Sequence, residues 1–142
     1  MPTRLSGRLL LVDDESDINM TLAKALEQYG FKVDSYQYPL IALDNFRRHY
    51  YDLAILDINM PQMNGFSLYR EIKRMDKELK VCFLTAGEMY YGVYSDILSS
   101  LPVNHFIRKP IDNEELLQRI NEILVGNPAL VRGKSYHVES II

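Results

Sequence analysis

Hydrophobic and polar positions along the chain follow two rhythms that trade places five times. Arg8 to Val12 is a short apolar run that ends in acids, as a strand would. From Ser16 to Tyr29, the residues Ile18, Leu22, Ala25, Leu26 and Tyr29 recur with the 3.6-residue period of one helix face. Ser16 is placed to cap this helix and Gly30 to stop it. Phe31 to Tyr36 alternates and reads as a strand. Pro39 opens the next helix, which turns Ala42, Leu43 and Phe46 inward. Leu53 to Leu56 is a continuous apolar run ending at Asp57, which suits a strand buried on both faces. A third helix follows Pro61 and Gly65 and carries Tyr69, Ile72 and Met75. Then come a strand from Val81 to Thr85, a helix from Tyr91 to Leu101 and a strand from His105 to Ile107. The last helix starts near Asp112. Asp112 and Glu115 have capping-box spacing, and Leu116, Ile120, Ile123 and Leu124 form the core stripe.

Five strand–helix units predict an α/β fold, a parallel sheet covered by helices on both faces. Right-handed crossovers leave few topologies. The periodicity lapses near Gly126. The expected organisation is an N-terminal extension over 1–7, one domain over 8–125 and a tail or linker over 126–142. A length of 142 residues suits one domain. A net charge of −3 gives no basic field to draw the chain to nucleic acid or an anionic membrane. The single cysteine, Cys82, cannot form an intramolecular disulfide and sits in an apolar run, where a buried packing role is expected. No apolar stretch approaches the ~20 residues of a membrane span, and the N-terminus lacks the apolar core of a signal peptide. The expected location is the cytoplasm.

The chemistry lies in what the strands end with. In an open parallel sheet, ligands bind beyond the carboxyl ends of the strands. The first strand ends in Asp13-Asp14, the third in Asp57 and the fourth in Thr85, and the fifth is followed by Lys109-Pro110. Adjacent strands lie about 4.8 Å apart, so three carboxylates, a hydroxyl and an ammonium can share one pocket. Carboxylates crowded in this way repel one another unless a cation sits among them. Hard oxygen ligands favour Mg²⁺ (or Mn²⁺) over zinc or copper. His49, His105 and His137 are scattered without metal-ligand spacing. A carboxylate can attack phosphorus and form an aspartyl phosphate. That reaction asks chiefly for in-line positioning and charge neutralisation.

The sequence Leu-Val-Asp13-Asp14-Glu15, then Asp57-Ile-Asn-Met-Pro61-x-Met-x-Gly65, then Thr85-Ala86, then Lys109-Pro110 resembles the receiver domains of two-component response regulators, of the chemotaxis-receiver-like kind. The resemblance spans about residues 8 to 125. It implies a flavodoxin-like sheet of order 2-1-3-4-5. It implies that Asp57 is the phosphoacceptor, that Asp14 binds the cation directly and Asp13 mainly through water, and that the backbone carbonyl of Asn59 is a further ligand. Thr85 would bind a phosphoryl oxygen, Lys109 would pair with the phosphoryl group, and the Lys109-Pro110 bond would be cis. Phe106 matches the switch aromatic, which turns inward as Thr85 moves toward the phosphate and so reshapes the face of the fourth helix, fifth strand and fifth helix. The implied partners are a sensor histidine kinase or phosphotransfer protein, a downstream effector and a possible homodimer mate, with neither nucleic acid nor membrane contacted directly. The implied activity is a signalling switch that catalyses only its own phosphorylation and dephosphorylation.

Each residue also has a plainer reading. An Asp pair after a strand often only starts a helix, Thr85 is then a cap, Lys109 a solvated charge and Phe106 a core aromatic. Asn59 and Gly87 occupy positions that tune dephosphorylation in the family. Two features depart from the pattern. The segment Leu98 to Asn104 lacks the Gly-Ala turn of many receivers, and Tyr90, Tyr91 and Tyr94 cluster near the start of the fourth helix, either as core or as a partner surface. A haloacid-dehalogenase-like phosphatase is one rival. It also uses Asp, Thr, Lys and Mg²⁺, but it needs a second acid where position 59 is Asn. The other rival is a receiver fragment of a DNA-binding regulator, although no helix-turn-helix pair follows the fifth helix.

Overall fold

The apolar runs and amphipathic stripes become ten regular elements in a computed structural model that describes residues 6–86 and 95–126. The strands are β1 (Arg8–Val12), β2 (Lys32–Tyr36), β3 (Leu53–Asp57), β4 (Lys80–Thr85) and β5 (Phe106–Arg108). The helices are α1 (Ser16–Gln28), α2 (Pro39–Asp44), α3 (Gly65–Met75), α4 (Ser95–Ser100) and α5 (Asn113–Leu124). All strand pairs are parallel, in the order β2-β1-β3-β4-β5. This is the α/β fold that the alternating pattern predicts, with the strand order that the resemblance implies.

The period of two along the strands divides the core into two layers. Leu10, Val12, Ala54, Leu56, Val81 and Phe83 point to the side covered by α2, α3 and α4, where they meet Ala42, Leu68, Ile72 and Ile97. Leu9, Leu11, Leu53, Ile55, Cys82 and Leu84 point to the side covered by α1 and α5, where they meet Leu22, Leu26, Leu116 and Ile120. β1, β3 and β4 are therefore apolar on both faces, and polar groups are confined to their ends.

Several element ends differ from expectation. Ser16 is the first helical residue of α1 and does not cap it. Glu15 holds the cap position with extended backbone, and its side chain makes no capping bond. Phe31 precedes β2 but is buried. Phe46 lies past the end of α2 and packs against Tyr51, with ring centroids 5.7 Å apart. His105 belongs to a short 3-10 turn, Val103–His105, so β5 begins one residue late. That turn stands where many receivers carry a Gly-Ala pair. The His105 amide donates to the Pro102 carbonyl at 3.0 Å, and Asn104 is buried beside it. Gly87, Tyr90, Tyr91, Tyr94 and the tail from residue 127 lie outside the described residues, as do residues 1–5.

Candidate functional site

The strand ends are locked together by backbone bonds that run just past the sheet. The Asp13 amide donates to Tyr36 O at 3.1 Å, Ile58 N to Leu84 O at 3.0 Å and Lys109 N to Thr85 O at 2.7 Å. The residues bearing polar side chains are thus fixed in register. Asp13 and Asp57 are buried, with 0% and 2% of their surface exposed, and Thr85 is buried at the end of β4. Asp14 is half-buried. Asp13, Asp14 and Asp57 each bring one carboxylate oxygen to within 4.8 Å of the others. The Lys109–Pro110 peptide bond is cis.

The Lys109 side chain, 7% exposed, enters this acidic pocket. Its Nζ lies 2.7 Å from Glu15 Oε1, 2.9 Å from Asp13 Oδ2 and 3.5 Å from Asp57 Oδ1. Only the contact with Glu15 has hydrogen-bond geometry among these three, and Asp13 Oδ2 and Asp57 Oδ1 are left without a hydrogen bond. Burial raises the Asp57 pKa, the charge of Asp13 raises it further and Lys109 opposes both, so that it is pushed up to about 7. Burial works against the Lys109 charge, but the hydrogen bond to Glu15 and the nearby carboxylates of Asp13 and Asp57 outweigh it. The Lys109 pKa is pushed up to about 12.

The structure gathers Asp13, Asp14, Asp57 and Lys109 in one place. Thr85 ends the strand beside them, one register step beyond the Asp57↔Leu84 pair. Asn59 sits two residues past Asp57 and is exposed. Phe106 is half-buried and stacked on its register partner Phe83 at 5.4 Å with an interplanar angle of 19°. Two contributors escaped the sequence reading. Glu15 was seen only as part of a motif and proves to be a partner of Lys109. Asn19, buried on the inner face of α1, donates to Asp13 O at 3.0 Å and to Tyr36 O at 2.8 Å, tying the acid pair to β2. A polar residue three positions before Leu22 and seven before Leu26 on the apolar face was the available signal.

A family model for the response regulator receiver domain matches residues 9–121. The chain belongs to the response-regulator receiver family. Among curated relatives, the transcriptional regulatory protein RprY of Bacteroides fragilis is 33% identical over 129 residues, covering 89% of this chain and 51% of RprY. The response regulator ArlR of Staphylococcus aureus is 33% identical over 121 residues, covering 85% of this chain and 54% of ArlR. The receiver chain thus spans about half the length of these relatives. In structure it resembles the non-phosphorylated HemR receiver domain from Leptospira biflexa, with 30% identity, a TM-score of 0.70 and coverage of 82% of this chain and 93% of that one. It shares its fold with the BeF3-activated DrrB receiver domain, with a TM-score of 0.70, 23% identity and coverage of 84% and 98%. The receiver is a signalling switch of two-component systems rather than a classical enzyme. No described helix is long and apolar enough to cross a membrane.

Proposed function

We propose that this receiver accepts a phosphoryl group on Asp57 in a reaction that depends on a divalent cation. The observation that carries the reading is the buried Asp57 carboxylate with two further carboxylates and one ammonium gathered around it. An Asp57 oxygen attacks phosphorus as the phosphorus–nitrogen bond of a donor phosphohistidine breaks, and the electron pair leaves on the imidazole nitrogen. Water later releases inorganic phosphate and returns the carboxylate. The donor is a sensor histidine kinase or a phosphotransfer protein, and the setting is the cytoplasm.

The residues present fit a hard cation. All three close donors are carboxylates, and two of their buried oxygens lack a hydrogen bond. Asp13, Asp14, Asp57 and the Asn59 carbonyl would hold Mg²⁺ or Mn²⁺. When bound, it supplies positive charge toward the phosphoryl oxygens. Lys109 offsets charge from the other side, and the Thr85 hydroxyl donates to a phosphoryl oxygen. Movement of Thr85 makes room for Phe106 to leave its stack on Phe83. The face of α4, β5 and α5 then meets an effector or a second copy of the chain. The unit that does this is residues 8–125, with 1–7 as an extension and 126–142 as a tail. A transcriptional output is a second reading, favoured by the name of RprY.

Calorimetric titration with beryllofluoride tests the reading. With Mg²⁺ present, wild type should bind one equivalent, and Asp57→Asn and Lys109→Ala should bind none. Undiminished binding by Asp57→Asn would refute the assignment.

A further inference from the structure

Glu15 stands apart from the other acids of the pocket. Its side chain is 56% exposed, whereas Asp13 and Asp57 are buried. It nonetheless makes the shortest contact to Lys109, 2.7 Å against 2.9 Å and 3.5 Å, and the one with hydrogen-bond geometry. Its backbone is fixed at the head of α1. Its amide donates to Asp13 Oδ1 at 3.0 Å, and its carbonyl accepts from Asn19 N at 2.9 Å. Its side chain has no part in capping the helix. The carboxylate therefore makes no capping bond to α1 and reaches across 94 positions of sequence to Lys109.

We propose that Glu15 is a positioning residue that holds the buried Lys109 ammonium nearer to itself than to the phosphoacceptor, at 2.7 Å against 3.5 Å, and competes with an incoming phosphoryl group for it. The inference rests on the phosphoacceptor reading given above. An ion pair with a largely exposed carboxylate is weak and is released readily. A phosphoryl group carries up to about two negative charges and offers several acceptor oxygens, so it takes the ammonium over. Glu15 is then left unpaired beside a new anion, and like charges at close range disfavour that state. The Glu15 charge thus stabilises the resting pocket against the loaded one. The exposed Glu15 is a releasable partner for Lys109, which the buried Asp13 is not.

The test is beryllofluoride titration at saturating Mg²⁺ on the full chain, comparing wild type with Glu15→Gln and Glu15→Ala. Both variants should half-saturate at about two- to five-fold lower beryllofluoride than wild type. The advantage should shrink in about 1 M salt, where exposed charges are screened. Urea unfolding without ligand should be unchanged, since the side chain makes no capping bond. A merely structural Glu15 would instead give lower stability and no salt-dependent gain. Equal or weaker binding by both variants, with normal binding by wild type, overturns this inference alone. No binding by wild type removes the phosphoacceptor reading and this inference with it.

Discussion

A Cβ on Gly65 would stand 2.9 Å from Ile58 Cα and closer still to the carbonyl oxygen of Asp57. The constraint is close approach of two backbones, since the Gly65 amide donates to Ile58 O at 2.8 Å. Gly65→Ala must push the end of β3 aside, at a cost of about 1–3 kcal/mol. Urea unfolding should show that loss and beryllofluoride binding should weaken; wild-type stability in the variant would refute the close approach. Gly65 was visible in sequence as part of a motif, but its neighbour across the loop was not. Asp57 and Lys109 were legible because an apolar run that stops at a charge marks a strand end. Glu15 and Asn19 were not, because their partners Lys109 and Tyr36 are set by tertiary contacts that no local pattern encodes.

The helix starts differ in what holds them. Asp112 accepts a hydrogen bond from Glu115 N at 3.1 Å, and Asn64 accepts one from Ser67 N at 2.9 Å. α1 has no side-chain cap. Asp112→Ala should therefore cost about 1 kcal/mol in urea unfolding, while Ser16→Ala should stay within about 0.5 kcal/mol. A large loss for Ser16→Ala would restore it as a cap. Half of the expected capping box is present. The Glu115 carboxylate pairs with Arg119 one turn on, at 3.2 Å. Sequence located every described strand to within a residue, since the two-layer core demands apolar side chains on both faces of β1, β3 and β4. The start of β5 slipped because the 3-10 turn captures His105, whose ring bonds Val81 O at 2.7 Å.

For the whole molecule, the pocket trades stability for function. Asp57 is pushed from 3.8 up to about 7 by burial and by Asp13. Between those values the folded chain holds a proton that the unfolded chain has released. This contribution to stability is full below about pH 4 and is lost as pH rises through about 7. Without divalent cations, Asp57→Asn should therefore be more stable than wild type at pH 8 by more than about 1 kcal/mol, and the gain should vanish near pH 4. Mg²⁺ should stabilise wild type at pH 8. A variant less stable than wild type at pH 8 would contradict the charge crowding described here. The strand order brings residues from the ends of β1, β3 and β5 to one pocket, with Thr85 ending β4 next to Asp57's strand. Intact mass after incubation with acetyl phosphate tests the central claim most directly. The account predicts a gain of about 80 Da with Mg²⁺, none without it and none in Asp57→Asn. The same gain in Asp57→Asn would contradict it.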